Sequence, residues 1–368
     1  MNPLRELEKY GQSFWMDYIR RDVITGGELA RLIEEDGLKG VTSNPSIFAK
    51  AISGSSDYDH QLKELLAENP RASEKALYEA LAIRDIQMAA DVLLGVHDST
   101  GGADGFVSLE VSPHLADDTE GTIEEARRLW RAVDRPNLMV KVPATAAGVP
   151  AFETLTAEGI NINVTLMFSL DDYERISGAY LRGLERCEDP ERVSSVASFF
   201  VSRVDTKVDA ALEEIGGEAL ARRGKAGIAN AKIAYQRFRE TFHGQPFARQ
   251  RRRGARVQRV LWGSTSTKNP DYRDVLYVEE LIGPETVNTI PPETAEAFRD
   301  HGRARASLEE GLEEAEEQLQ ALAALGIDLG LVTRELQDEG VRKFADSFDE
   351  LLATLERKRE EIPAGVEG

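Results

Sequence analysis

Eight short runs of aliphatic, β-branched and aromatic residues alternate with long amphipathic stretches, and this alternation restricts the fold more than any other feature. Strands separated by helix-length segments favour a parallel sheet with helices packed outside it. A doubly wound sheet would need a G-x-G-x-x-G turn after its first strand, and no such turn follows the first run. Eight units within 368 residues instead match an α/β fold, the (β/α)₈ TIM barrel, with additions. We predict its strands within residues 13–19, 40–44, 105–112, 137–143, 160–168, 193–203, 258–264 and 285–291.

The amphipathic stretches predict the outer helices, within residues 27–35, 74–94, 119–133, 147–157, 170–186, 207–213, 225–241 and 272–281. Residues 305–361 differ, because they are rich in Glu, Leu, Ala and Arg with almost no strand pattern, which predicts two or three helices packed across the barrel. We therefore predict one barrel domain over residues 1–368, with 305–361 as its helical extension. Segments 53–61 and 244–257 are interpreted as loop insertions.

Charge and composition restrict the partners. A formal net charge of −20 argues against nucleic acid and anionic membranes, which require a basic surface. The basic run of residues 249–256 is isolated in this acidic chain and predicts a solvated loop. No apolar stretch approaches the ~20 residues of a membrane span, and the N-terminus lacks a signal-peptide apolar region. With Cys187 as the single cysteine no intrachain disulfide forms, which fits a cytoplasmic protein. Apolar residues in 312–331 fit either a barrel cap or a subunit contact, so monomer and homodimer both stay open.

Lys141 is the one charged residue in the apolar run of residues 137–143. A single lysine of this kind more often reaches solvent from a strand end than takes part in a reaction. If the amine is buried, however, desolvation favours its uncharged form, which is a nucleophile for a carbonyl carbon. The residues on the neighbouring strands therefore decide between the two interpretations.

Polar residues recur on the strand faces that are expected to point into the barrel. Side chains at i and i+2 share a face of a strand, so Asn163 and Thr165 lie together on the fifth strand. The same parity places Glu110 opposite the apolar residues of the third strand, and the first strand offers Asp17. Lys141 can share the inward face with these four residues. Most of them lie toward the C-terminal strand ends, where barrel enzymes hold their active sites.

This set of residues contains an amine, two carboxylates, and hydroxyl and amide groups able to hold a polyol. The five histidines show no metal-ligand spacing, and no G-x-S-x-G motif supports a serine nucleophile. We therefore predict neither a metal nor a cofactor. An amine with carboxylates indicates Schiff-base chemistry on a carbonyl substrate, as in a class I aldolase.

The segments that carry these residues resemble those of the transaldolase family over essentially the whole chain. Each segment alone would be weak evidence, whereas their order and strand positions together are highly specific. The matching segments are GVTSNPSIF at 40–48, VSLEV at 107–111, VKVPAT at 140–145, NINVTLMFS at 161–169, SFFVSR at 198–203 and GSTSTKN at 263–269.

The resemblance implies transfer of a dihydroxyacetone unit from sedoheptulose 7-phosphate to glyceraldehyde 3-phosphate, giving erythrose 4-phosphate and fructose 6-phosphate in the non-oxidative pentose phosphate pathway. By the same resemblance, Lys141 forms the Schiff base with the ketose C2 carbonyl, and Asp17 takes the C4 hydroxyl proton and later returns one. Glu110 and Thr165 hold a water molecule that relays protons.

The resemblance also implies the residues that bind the sugar phosphate. Asn44 and Asn163 bind hydroxyls of the retained fragment, with Ser198 nearby. Arg203 matches the phosphate-binding arginine of the family. In the seventh-strand segment the chain departs from shorter members, which have an arginine there, so Ser264 and Lys268 are the corresponding phosphate candidates.

Two other functions stay open at this stage. A fructose 6-phosphate aldolase uses the same imine but tends to have glutamine and tyrosine at the positions of Glu110 and Phe200, so these two residues favour transfer. A non-catalytic barrel that binds sugar phosphates is the second alternative, and it would be expected to have lost Lys141 or Asp17.

Overall fold

The computed structural model describes residues 2–361 as a closed barrel of eight parallel strands in sequence order. The first strand pairs with both the second and the last, and Gln12 stands opposite Thr286 in the pairing that closes the barrel. The predicted TIM barrel is therefore confirmed. The strands are β1 Gln12–Met16, β2 Gly40–Thr42, β3 Phe106–Glu110, β4 Leu138–Pro143, β5 Ile162–Met167, β6 Ser195–Phe200, β7 Arg259–Gly263 and β8 Thr286–Ile290.

Helices surround this barrel and cover its ends. They are α1 Pro3–Glu6, α2 Arg21–Thr25, α3 Glu28–Arg31, α4 Pro45–Ser53, α5 Asp59–Glu68, α6 Glu74–Ser99, α7 Thr119–Val133, α8 Gly148–Ala157, α9 Leu170–Arg186, α10 Ser202–Ile215, α11 Ala226–Phe242, α12 Ala248–Arg252, α13 Leu276–Glu280, α14 Pro292–His301, α15 Leu312–Ala324 and α16 Leu329–Glu361. A π-helical segment spans Leu32–Asp36, and 3₁₀ segments span Leu7–Tyr10, Pro113–Leu115, Pro190–Arg192 and Gly217–Arg222. Within residues 2–361, no helix combines the length and the apolar character needed to span a bilayer.

Side-chain caps fix where several helices begin. Asn44 accepts a hydrogen bond from the Ile47 N–H at 2.9 Å, so α4 starts directly after β2. Ser169 caps α9 in the same way through the Asp172 N–H at 3.0 Å. Such caps occupy N–H groups that the helix itself leaves unbonded.

Each predicted strand run coincides with an observed strand, but the runs were too long at their C-terminal ends, their N-terminal ends or both, and β1 begins one residue before its run, at Gln12. The largest difference is at β6, predicted over 193–203, because the chain leaves the sheet after Phe200 and α10 begins at Ser202. The predicted helix at 272–281 shortens to Leu276–Glu280, whereas the one at 74–94 extends to Ser99.

The two segments interpreted as loop insertions consist mostly of turns and irregular chain, each with a few helical residues. Residues 53–61 join the end of α4 to the start of α5, and the basic stretch contains α12. Arg253 donates to the carbonyl oxygens of Leu184 and Cys187, both at 2.6 Å, at the end of α9. Helix ends leave carbonyl groups unpaired, and a guanidinium with several donors satisfies them well.

The tail forms helices packed on the barrel, as predicted. The amide of Gln337 on α16 donates to the carbonyl oxygens of Ala144 and Leu166, at 3.3 and 3.0 Å. Further along α16, the Ser347 hydroxyl lies 2.7 Å from that of Ser46 on α4. Helix α16 therefore crosses the C-terminal mouth of the barrel and is held there by hydrogen bonds at two positions ten residues apart.

An apolar layer fills the barrel toward its N-terminal end. It consists of one buried side chain from each of six strands: Trp15, Phe106, Met139, Val196, Leu261 and Val287. The Trp15 indole N–H has a buried partner, Asp104 Oδ1, at 2.9 Å. Because this end is closed by packed side chains, the polar inward residues collect above it.

We expect Gly40→Ala to destabilise the barrel by about 1–3 kcal/mol through overpacking of this layer. A Cβ at Gly40 would lie 2.5 Å from Trp15 Cδ2, whose ring is fully buried. Urea denaturation measures the effect. Gly95→Ala in α6 is the matched control, because nothing lies within 4 Å of its added Cβ. Equal unfolding midpoints for the two variants would contradict the prediction.

Candidate active site

Lys141 is buried inside the barrel and does not reach solvent from a strand end. It lies on β4, opposite Glu110 of β3 and Asn163 of β5, and is 5% exposed. Its Nζ donates to the Ser43 carbonyl oxygen at 2.9 Å and lies 3.4 Å from Glu110 Oε2. The amine is therefore held between a neutral acceptor and a carboxylate.

Glu110 is the carboxylate beside the Lys141 amine, and its pKa is raised. Burial raises its pKa, the Lys141 ammonium opposes that shift, and the charge of Asp17 adds to it. Its Oε2 is buried without a hydrogen-bond partner among the described residues, and so is the Oγ1 of Thr165. Buried polar atoms rarely stay unbonded in proteins, so both atoms are free to hold a water molecule or a substrate group.

Asp17 lies just beyond β1, at the C-terminal end of the barrel. Its N–H donates to the Ile290 carbonyl at 3.1 Å, and its Oδ1 accepts from the Thr42 hydroxyl at 2.9 Å. The side chain is partly exposed. The carboxylate is thus oriented by its neighbours while it remains accessible from the mouth.

Asn163 and Ser198 form one hydrogen-bonded unit. The Asn163 amide donates to the Ser108 hydroxyl at 3.1 Å, and its Oδ1 accepts from the Ser198 hydroxyl at 2.6 Å. All three side chains are buried. Ser198 therefore fixes the orientation of the Asn163 amide.

A cleft of about 410 Å³ opens over the barrel mouth. Predicted site residues lie in its wall, namely Asn44, Arg203, Ser264 and Lys268, together with Phe200. Lys141 lies deeper, since its amine reaches the carbonyl of Ser43, the residue before Asn44. The residues predicted from strand alternation and from the family resemblance therefore lie at two depths. The Lys141 amine lies inside the barrel, and the cations Arg203 and Lys268 lie at its mouth.

The mouth also contains two cations that the sequence analysis missed, Lys50 of α4 and Lys343 of α16. Burial lowers the pKa of the Arg203 guanidinium. Partial burial, followed by the charges of Arg203 and Lys343, lowers the pKa of Lys268. The pKa of Lys343 is lowered chiefly by Arg203, then by partial burial and by Lys50. No local motif marks either lysine, because packing between distant segments brings them to the mouth.

Two buried aspartates of α10 tie the phosphate candidates to the surrounding chain. Asp205 accepts from the Gly227 N–H at 2.7 Å and the Tyr277 hydroxyl at 2.8 Å. Asp209 accepts from the Tyr272 hydroxyl at 2.6 Å. These bonds connect α10, which begins beside Arg203, to the segment after β7 that carries Lys268.

We expect the free energy of unfolding of Asp205→Asn to increase, relative to that of the wild type, as the pH rises. Burial raises the pKa of Asp205 to about 6. Because the folded-state pKa lies above the unfolded one, the contribution of this group is complete below about pH 4 and is lost as the pH rises through about 6. The difference in free energy of unfolding between variant and wild type should therefore grow by about 2 kcal/mol from pH 4 to pH 8. Urea denaturation at both pH values measures it, and a pH-independent difference would contradict the assignment.

A parallel barrel with a buried amine beside a carboxylate at its C-terminal end is the arrangement of a lysine-dependent aldol enzyme. Comparison with known proteins narrows this class. The sequence model described as "Transaldolase/Fructose-6-phosphate aldolase" matches residues 14–355, and the chain belongs to this family.

Several relatives are similar to the chain over nearly its whole length. It is 52% identical over 360 residues to a transaldolase of Thiobacillus denitrificans, covering 96% of this chain and all of the relative. A transaldolase of Acidothermus cellulolyticus is 49% identical over 364 residues, covering 98% and 97% of the two chains. A protein named "Transaldolase 2" from a Nostoc species is 43% identical over 374 residues, covering 97% and 98%.

Proposed function

We propose that the protein is a transaldolase, which moves a dihydroxyacetone unit from sedoheptulose 7-phosphate to glyceraldehyde 3-phosphate in the cytoplasmic, non-oxidative pentose phosphate pathway. The products are erythrose 4-phosphate and fructose 6-phosphate. The observation that carries the proposal is the buried Lys141 amine, 3.4 Å from a carboxylate whose pKa is raised. Family membership and relatives named transaldolase support it.

The first chemical step forms the imine. The neutral amine of Lys141 attacks the ketose C2 carbonyl, and loss of water from the carbinolamine gives a protonated imine. Glu110 takes part as the proton reservoir, because its raised pKa brings protonation and deprotonation closer to neutral pH. A water molecule bound between Oε2 of Glu110 and Oγ1 of Thr165, neither of which forms a hydrogen bond within the described residues, relays the proton.

The second step breaks and remakes a carbon–carbon bond. Asp17 removes the C4 hydroxyl proton as the C3–C4 bond cleaves, and the electron pair of that bond moves into the protonated imine, giving an enamine. After the first aldose leaves, the enamine attacks the acceptor aldehyde, and Asp17 returns the proton to the new hydroxyl. Hydrolysis of the imine then frees Lys141.

The remaining residues hold the substrate. Asn44 and Asn163 bind hydroxyls of the retained fragment, and the fixed amide of Asn163 supports this assignment. Arg203, Ser264 and Lys268 bind the phosphate. Of these three residues, Arg203 is the best supported as a phosphate ligand. It is half-buried in the wall of the cleft, and no carboxylate in the described part of the chain forms an ion pair with it.

A fructose 6-phosphate aldolase remains the second candidate within the family. Phe200 disfavours it, since its ring stacks on Phe168 with centroids 5.2 Å apart and offers no hydroxyl to activate water. Without such a donor, the enamine persists until an acceptor aldehyde arrives.

Product analysis with fructose 6-phosphate distinguishes the candidates. With erythrose 4-phosphate as acceptor, we expect sedoheptulose 7-phosphate; without an acceptor, we expect little free dihydroxyacetone. Rapid release of dihydroxyacetone without an acceptor would identify an aldolase. Absence of any product, together with retained sugar-phosphate binding, would identify a non-catalytic binding protein.

A further inference from the structure

Helix α16 presents one face to the barrel mouth. A Cβ at Gly340 would lie 2.9 Å from Leu166 Cδ2 and 3.7 Å from Arg203 Nη1, so the helix backbone approaches the mouth closely there. Seven residues later, Ser347 contacts Ser46 of α4. Lys343 lies three residues after Gly340 and four before Ser347, and these spacings place it on the same side of a helix. It lines the cleft together with Arg203 and Lys268.

Several charged residues of α16 form ion pairs, whereas the charge of Arg203 acts on Lys343. Glu335 and Glu339 both pair with Lys207, and Lys358 pairs with Asp59. In the described part of the chain, no ion pair involves any of four mouth cations: Lys50, Arg203, Lys268 and Lys343. Glu350 also lines the cleft, but it forms no ion pair with them.

Unpaired cations that face one another in a cleft repel each other at close range, and a bound anion removes that cost. A sugar phosphate carries a dianionic group with oxygen acceptors of the kind that lysine and arginine bind. From this arrangement we propose that Lys343 is a substrate-binding residue that contacts the phosphate from the helix covering the mouth and makes the enzyme prefer phosphorylated to unphosphorylated aldehydes. The inference rests on the proposed function for its substrate and adds a residue from α16 to the site.

Such a residue affects the selectivity between phosphorylated and unphosphorylated aldehydes, because only the former can make the contact. The contact is present both in the bound substrate and in the transition state. Interactions of equal strength in both states change KM and leave kcat little altered. The carbon skeleton of the aldehyde, which reaches down toward Lys141, does not depend on this contact.

The test compares glyceraldehyde 3-phosphate with glyceraldehyde as acceptors, with sedoheptulose 7-phosphate as the donor throughout, so that both reactions release erythrose 4-phosphate. For Lys343→Gln, the ratio of kcat/KM between the two acceptors should fall about tenfold, the effect of one charge-assisted contact at a partly exposed position. Lys343→Arg should restore most of the ratio. Arg342→Gln is the matched control, since it removes a neighbouring exposed cation of α16 that does not line the cleft. An equal change for Lys343→Gln and Arg342→Gln, or an unchanged ratio for Lys343→Gln, would overturn the proposal.

A second measurement does not require turnover. Calorimetric titration with inorganic phosphate should give weaker binding to Lys343→Gln than to the wild type, whereas Arg342→Gln should bind like the wild type. If the wild type shows no transfer activity, the proposed function fails, while this titration still decides whether Lys343 binds phosphate. Equal phosphate affinity in the wild type and Lys343→Gln would contradict the inference by itself.

Discussion

Replacing Lys141 by alanine should abolish covalent trapping of the substrate and reduce transfer by at least roughly a thousandfold. In the wild type, we expect borohydride to reduce the imine formed with fructose 6-phosphate and to leave a stable adduct on Lys141. Lys141 is buried beside Glu110 and Ser43, and another amine cannot take its place there without moving those neighbours. Mass spectrometry of the digested protein measures the adduct.

A second buried lysine provides the control for this experiment. Lys232 is 7% exposed, and its Nζ donates to the carbonyl oxygens of Ser307 and Glu310, at 3.0 and 2.7 Å. Burial lowers its pKa. If burial alone made a lysine reactive, the adduct would also appear on Lys232, so an adduct there and none on Lys141 would overturn the assignment. Circular dichroism checks that Lys141→Ala remains folded, as expected because Glu110, with its raised pKa, is readily protonated once its cation is gone.

Replacing Asp17 by alanine should slow carbon–carbon cleavage by about 10²–10⁴-fold while imine formation continues. The base is lost, but Lys141 and Glu110 stay in place. Borohydride trapping with fructose 6-phosphate separates the two steps, because the wild type should yield a three-carbon adduct after cleavage. The variant should accumulate an adduct of the entire six-carbon sugar phosphate.

Thr42→Val is a milder variant that tests the same carboxylate. It removes the hydroxyl that donates to Asp17 Oδ1 at 2.9 Å and leaves the carboxylate present, so a smaller loss, of about tenfold, is expected. A three-carbon adduct that forms in Asp17→Ala at the wild-type rate would exclude Asp17 as the base.

Strand parity predicted the interior of the site because alternation along a strand is a local property. Lys141, Asn163 and Glu110 each lie on the face that the two-residue period assigned to them. The same reasoning failed at β6, where it extended the strand through Arg203. The chain enters α10 at Ser202, and Asp205 stabilises that helix through partners near residues 227 and 277. No neighbouring residue along the chain signals this change.

The mouth of the site was harder to predict for the same reason. Lys343 lies in a tail whose composition predicts only helix, and its position depends on α16 packing against α4 and the barrel. The basic segment shows the opposite error, since Arg253 looked like a solvated charge but satisfies carbonyl groups at the end of α9. Charge and periodicity describe a segment, whereas the contacts it makes depend on residues far away in the chain.

The pairing of β1 with β8 has a consequence for biosynthesis. Strand β1 pairs with β8, which ends at Ile290. The barrel therefore cannot close on the ribosome until nearly three hundred residues have been synthesised. Helix α16 follows later still, and Lys343 arrives with it. A nascent chain can contain Asp17, Glu110 and Lys141 long before the complete pocket exists. The edge of β1 that pairs with β8 therefore stays unpaired during most of translation, and an unpaired strand edge is prone to aggregation.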